Sequence, residues 1–484
     1  MRHSGPVSLP RSPRRVPIIF LYPHSSGAKF ACLLAIFSLI ATAQTPVARS
    51  TNANSLLPSF DVLADPPGLL YQGVPAEIPQ DEGTAGLRWE LLRLGTTARL
   101  MQVVAHPDDE DGGMLTLEAR GRGVSTLLMT LNRGEGGQNK IGSNLSDVLG
   151  VLRAEELLAS DQYYGVQERF SRVADFGFSK SPEETFAKWG GHDTALADMV
   201  RVIRTFRPDV LVARFSGTSR DGHGHHQASS ILAREAFRAA ADPKRFPQQI
   251  AEGLQPWQAK KMYIGNVCGF GAMTCPDADW TIRLNTGEKN AELGMSYIQL
   301  AMQGLRHQMS QGAANWTVDP GDRFTFYRLV DSVVPSTLGK DGHEKSFFDG
   351  IDTTWPALAS EDGAEEKLPK LRQQLTEIAK LVSEAAKVND VSMAAAPLAK
   401  LVAELNRVSA EVQAGSLSAA AKLDLATRLV EKRQQAESAL NLALGVGLIA
   451  NASPHGEPEV QTPKEADALT TVSPGQEFGV AVTL

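Results

Sequence analysis

The chain has 484 residues, of which 42% are hydrophobic and 21% charged, with a formal net charge of -7. That length exceeds one ordinary core and implies about two to four domains. The acidic balance, with no basic cluster beyond the first segment, excludes nucleic acid as the main partner, and three cysteines exclude a disulfide-built scaffold.

In the first segment Arg11, Arg14, Arg15 and Lys29 precede Phe30–Ala43, an apolar run of secretory type. It is shorter than the span of about 20 residues that crosses a bilayer comfortably. Ala41-Thr42-Ala43 has the small-x-small form of a cleavage site. Residues 1–43 therefore read as a signal peptide cleaved after Ala43. The mature chain is expected to be secreted or periplasmic, with no stable membrane span. Cys32 would leave with the signal. Cys268 and Cys275 flank a Gly-rich loop and are either two free thiols or a disulfide, which an oxidising compartment favours.

Residues 44–94 are a Pro-rich extension with one helix, Ala85–Leu94, and Gly95 is placed to end it. Leu100–Val104 then reads as a buried strand running into His106, Pro107, Asp108, Asp109 and Glu110. A short helix, Met114–Arg120, leads to a strand at Ser125–Leu131 and a polar Gly-rich loop at Asn132–Asn139. Leu149–Tyr164 is an amphipathic helix with Leu149, Leu152, Leu157 and Leu158 on its apolar side and Arg153, Glu155 and Glu156 elsewhere. Val173–Phe178 is expected as a strand. His192–Phe206 is expected as a helix on Leu196, Met199, Val200 and Ile203, and Asp209–Phe215 as a buried strand. That strand exits into Arg220-Asp221-Gly222-His223-Gly224-His225-His226-Gln227, and helix resumes at Ala228–Ala241. Alternating strands and helices predict an α/β domain, a mostly parallel sheet with helices on both faces. Both polar clusters follow buried strands, so both belong at the same edge of that sheet, where such folds bind ligands.

The domain continues to residue 355, with a strand near Lys260–Tyr263 and a helix over Gly294–Gln311. Residues 335–362 are irregular. Residues 362–450 turn Ala/Leu/Lys/Glu-rich and predict a three-helix bundle over Glu365–Val388, Ser392–Gln413 and Ser416–Leu448. Residues 451–484 read as a linker and then a strand, the start of a β-rich segment resembling a truncated β-sandwich.

Taken together, His106, Asp109 and His226 supply two imidazoles and one carboxylate. Catalytic zinc takes three such ligands and keeps a fourth position for water, whose pKa it lowers to about 7. Ferrous iron suits the same set. Asp108 is placed to take the water proton. His223, as an imidazolium, would stabilise an oxyanion and protonate a departing amine. A bland alternative for HGHH is a surface histidine run. Gly222 and Gly224 would allow a tight turn there.

The pair AHPDDE and HGHH, each after a strand, resembles the PIG-L/LmbE family of metal-dependent de-N-acetylases. The likeness runs over about residues 95–335 and includes Thr130–Asn139, the Arg153 helix, and His307, Ser310 and Gln311. It implies a Rossmann-like fold and removal of N-acetyl groups from amino sugars such as N-acetylglucosamine conjugates. By the resemblance His106, Asp109 and His226 hold Zn2+ (or Fe2+), Asp108 is the general base and His223 the catalytic histidine. Glu135, Arg153, Asp221 and His225 are candidate substrate-binding residues. Many members carry Asp where this chain has His225; either Asp221 supplies the missing carboxylate or the site runs at a shifted pH. An O-acetyl esterase and a carbohydrate-binding scaffold with a relic site are the other readings.

Overall fold

The computed structural model describes residues 81–388, 390–454, 473 and 475–483. The expected signal peptide and cleavage site, Cys32 and the Pro-rich lead up to residue 80 lie outside the described residues. Through Val446 the described chain belongs to one compact unit, and from Gly447 onward to a second.

The first unit is built on a seven-stranded sheet in the order β3-β2-β1-β4-β5-β9-β6. Its strands are β1 (Arg99–Val104), β2 (Ser125–Thr130), β3 (Gln167–Phe170), β4 (Val210–Ala213), β5 (Lys261–Ile264), β6 (Ile282–Asn285) and β9 (Phe324–Ser332). A separate small hairpin pairs β7 (Lys289–Asn290) with β8 (Met295–Ser296). β1 to β5 run parallel, while β9 is antiparallel to both β5 and β6. The mostly parallel α/β sheet is as expected. The chain steps outward from β1 through β2 to β3, then returns to place β4 on the other side of β1. The crevice between β1 and β4 is therefore the topological switch point, where ligands bind in open α/β sheets.

Side chains alternate between two covered faces, as the period of a strand requires. Met101, Val103, Leu211 and Ala213 pack with helices His192–Phe206 and Gly224–Ala239. Leu100, Val104, Val210 and Val212 pack on the other face with Asp147–Tyr164 and Tyr297–Leu305. Leu196, Met199, Val200 and Ile203 are fully buried, as their spacing predicts.

Several local expectations are corrected. Val173–Phe178 is not a strand: Val173 is buried in the core but Phe178 is exposed, and the strand is the more polar Gln167–Phe170. That strand lies at the sheet edge, where one side has no neighbour to bury it. The helix expected to Gln311 ends at Leu305, with a separate 3-10 turn at Met309–Gln311. The helix expected from Ala228 begins at Gly224, so the second histidine cluster sits on its first turn rather than in a loop before it.

Helices Leu371–Ala386, Ala395–Ala414 and Ala419–Leu444 share one apolar cluster, and Gly83–Leu94 joins them through Leu87, Leu91 and Leu94. The long helix Ala419–Leu444 meets the amino-terminal edge of the sheet. Arg428 donates to Thr97 O at 2.7 Å and pairs with Asp209 at 3.0 Å. Arg207 pairs with Asp424 at 3.0 Å, and Arg99 with Glu431 at 2.8 Å. The helices thus brace the edge opposite the polar clusters. In the second unit, β10 (Ile449–Pro454) pairs antiparallel with β11 (Phe478–Thr483). Among the described residues, no helix is long and apolar enough to cross a membrane.

Candidate metal centre

β1 delivers His106 to Glu110 at its carboxyl end, and β4 leads through a 3-10 turn, Ser219–Asp221, to the helix that carries the histidines. Gly222 takes a positive φ of 72° to enter that helix, which suits a residue without Cβ. Gly224 serves a different need. A Cβ there would lie 2.4 Å from both Ser179 Oγ and Ser181 O, so the helix start packs directly on the 179–181 backbone.

The neighbouring strands bring the clusters together. His106 Nδ1 lies 3.0 Å from Asp109 Oδ2, and His226 Nε2 lies 3.3 Å from Asp109 Oδ1. One candidate donor atom from each of these residues falls within 4.8 Å of the others. His226 is held by its Nδ1 against Asp221 O at 3.2 Å and by stacking on Phe215, with ring centroids 4.0 Å apart. Two imidazoles and a carboxylate suit zinc or ferrous iron, both of which take such N and O donors. His106, His223 and His225 form a second set of equal compactness. In that set His225 is wholly buried, and its ring is walled by Phe176 and Trp189. That wall closes the His225 side of the set. The Asp109 set adjoins Asp108, which lines a cavity of about 330 Å³.

Asp108 sits at a positive φ of 94°, a costly conformation for a side-chain-bearing residue that persists only where neighbours fix it. Its backbone N–H donates to Glu110 Oε2 at 3.0 Å, and its carboxylate receives Arg153 Nη2 at 3.2 Å. The same guanidinium donates to Pro107 O and Gly134 O. Glu110 is itself fixed by Tyr164 OH at 2.9 Å and Gln308 Nε2 at 2.7 Å. Burial, then the charge of Asp109, raises the Asp108 carboxyl to about 8, with Arg153 opposing. A divalent cation beside it acts in the opposite sense and favours the carboxylate. Burial also opposes ionisation of Asp109, but His226 and His106 outweigh it and hold that carboxyl well below its usual range.

His223 caps the helix, its Nδ1 accepting from the His225 N–H at 3.1 Å. Burial, followed by the nearby charges of His106 and His226, lowers it to about 4. Glu135 is buried and engaged with its own loop: its carboxylate takes Arg133 N–H and Asp175 N–H at 3.1 and 3.0 Å. The Asp221 carboxylate accepts from Ser216 N, Ser216 Oγ, Gly217 N, Thr218 N and Asn266 Nδ2. It organises the turn after β4 and is not the stand-in carboxylate expected for the catalytic histidine. Arg214 went unnoticed in the sequence. As the first residue after β4 it donates Nε to Asp109 O at 2.8 Å and lies 4.7 Å from the Phe270 ring centroid. Cys268 and Cys275 form a disulfide that closes the loop carrying Phe270.

With this geometry in view, residues 101–237 match the family described as PIG-L, GlcNAc-PI de-N-acetylase. These residues form a PIG-L domain. A 1D-myo-inositol 2-acetamido-2-deoxy-alpha-D-glucopyranoside deacetylase 2 of Frankia casuarinae is 28% identical to this chain over 308 residues, covering 53% of the chain and 94% of the relative. The protein of the same name from Saccharopolyspora erythraea is 28% identical, over 52% of this chain and its own full length. The solved N,N'-diacetylchitobiose deacetylase of Pyrococcus horikoshii is 14% identical, covers 49% of this chain and 84% of its own, and superposes with a TM-score of 0.35, too loose a likeness to bear weight. In the PIG-L domain the strand β1 motif and the helix Gly224–Ala239 motif both lie inside the matched span.

Proposed function

We propose that the chain is a metal-dependent N-deacetylase acting on an N-acetylated amino sugar or its conjugate. The observation that carries this reading is the convergence of His106, Asp109 and His226 beside Asp108, which lines a cavity, within a PIG-L domain. The relatives are named as deacetylases of a 2-acetamido-2-deoxy glucoside, which supports the substrate class. His106, Asp109 and His226 would hold Zn2+, with Fe2+ as the alternative ion. When bound, such an ion supplies Lewis acidity and makes hydroxide accessible near neutral pH.

The chain's own residues then move protons and position groups. Water adds its oxygen to the acetamide carbon, the C–N bond breaks, and acetate and a free amine leave. Asp108 takes the water proton and is placed to return it to the departing nitrogen. Arg153 and Glu110 keep Asp108 in its positive-φ pose. His223, with Nδ1 capping the helix, would donate a hydrogen bond from Nε2 to the developing oxyanion. The cavity walls, including Arg214, Phe270, Trp316 and Phe324, receive the rest of the substrate.

We further propose that residues 1–43 direct the protein to a secreted or periplasmic location, which the Cys268–Cys275 bond supports. The test of the activity is bound metal per chain beside acetate release from a panel of N-acetylated sugars. One zinc or iron per chain with chelator-sensitive acetate release is expected. Metal-free, folded protein that was never exposed to chelator would overturn the reading.

A further inference from the structure

We propose that His225 is the hydrogen-bond acceptor that orients His106 for its metal, a positioning role carried here by a buried imidazole instead of a carboxylate. The proposal rests on the metal-site reading above. A histidine that ligates through one ring nitrogen carries hydrogen on the other, and that N–H needs an acceptor to fix the tautomer and the ring plane. His106 turns Nδ1 toward Asp109 Oδ2 and places Nε2 2.9 Å from His225 Nδ1. With Nδ1 given to the ion, the Nε2–H of His106 points at His225 Nδ1.

The surroundings of His225 allow only that use. Its side chain is wholly buried. Phe176 meets it edge-on at 4.5 Å between centroids, and Trp189 covers it at 5.0 Å. Among the described residues its Nε2 has no hydrogen-bond partner. The carboxylate nearest its Nδ1 is Asp175, at 3.6 Å, beyond hydrogen-bond reach, and the Asp175 Oδ1 atom already accepts Gly177 N–H at 2.8 Å. Asp221 is saturated by the turn after β4, as shown above. His225 acts behind a metal ligand on the other strand, not on its neighbour His223.

The experiment measures Zn2+ affinity of the full chain by competition with a chromophoric chelator, for wild type, His225→Asn and His225→Leu. The Asn side-chain oxygen reaches the place of Nδ1 and can accept, whereas Leu fills space and cannot. His225→Leu should weaken zinc binding by about 10- to 100-fold, while His225→Asn stays close to wild type. Visible spectra of the Co2+ forms should keep their shape in both, because no ligand is lost. Should the Leu variant fail to melt cooperatively, His225→Phe replaces it as a ring without an acceptor. Wild-type affinity in the Leu or Phe variant overturns the proposal. So does a Co2+ spectrum altered alike in Asn and Leu, which would make His225 a ligand. A wild-type chain that takes up no zinc at all overturns the metal reading itself, and so the two failures are distinct.

Discussion

Replacing Asp424 with Ala should destabilise the first unit severely while leaving the metal centre untouched. Asp424 is fully buried on the long helix, between Arg207 Nε at 3.0 Å and Arg428 Nε at 3.3 Å. Those guanidiniums have side-chain exposures of 1% and 3%, so neither can turn to bulk water. Against the pull of burial, Arg428 and Arg207 hold the Asp424 carboxyl below its ordinary range. Removing it takes the shared carboxylate from Arg207 and leaves Arg428 with Asp209 as its acidic partner in a dry site, and breaking a buried pair in this way costs about 3–5 kcal/mol. The exposed pair Arg372–Glu365, at 43% and 42% exposure, is the internal control. Its loss should leave the midpoint almost unchanged, because water screens both partners. Urea unfolding followed by circular dichroism reads both, as a drop in midpoint at constant slope. The network lies at the amino-terminal edge of the sheet, so zinc uptake by the folded Asp424→Ala protein should match wild type. A loss below about 1 kcal/mol would refute the reasoning, since it would mean that the arginines had found other compensation.

Four further outcomes follow from the site and the network. Asp108→Ala should keep its metal and lose acetate release by about 100- to 10,000-fold, whereas His226→Ala should lose the metal; full activity in either variant sinks the role assignment. Gly224→Ala should lower thermal stability by about 1–3 kcal/mol through overpacking and weaken metal binding, because a Cβ there meets Ser181 O and must push the histidine-bearing turn; an unchanged melting temperature contradicts this. Burial opposes ionisation of Glu431, yet Arg99 and Lys432 outweigh it and hold its carboxyl at about 2, against 4.5 ordinarily. A depressed carboxyl stabilises the fold above its ordinary pKa and loses that contribution as pH falls toward the depressed value, here about 3 kcal/mol in all. Urea midpoints at about pH 5 and about pH 3 should therefore converge in Glu431→Gln relative to wild type, and an equal pH slope in the two proteins argues against the pairing.

The layered core was legible because its signal is redundant. β1, β2 and β4 are buried on both faces and mostly apolar, as strands covered on both sides are, and Leu196, Met199, Val200 and Ile203 repeat at helix spacing. The legible part ended where a polar residue turns inward for a reason other than packing. Arg153 reads as the polar side of its helix but is buried, because its guanidinium ties Pro107, Asp108 and Gly134 together. Hydrophobic periodicity carries no information about such residues, which lie on the inner face for their charge or hydrogen bonds. The edge strand Gln167–Phe170 was missed for the converse reason: half exposed, it does not need the apolar run that marks its neighbours.

Convergence of the two motifs needed one step beyond the sequence pattern. That both follow parallel strands places them on one edge of the sheet, but an edge of five parallel strands is wide. The strand order closes the gap. Because the chain moves outward from β1 through β2 to β3 before returning to β4, β1 and β4 become neighbours, paired from Leu100 with Val210 to Val103 with Ala213. The loops after them diverge to opposite faces and open the crevice at their ends. His106 and Asp109 enter it from β1, and His226 from the helix after β4. The same adjacency puts His225 against the outer nitrogen of His106. A change at the second motif is therefore felt first at the ligand on the neighbouring strand, which is why the effect of His225 is to be sought in metal affinity before it is sought in turnover.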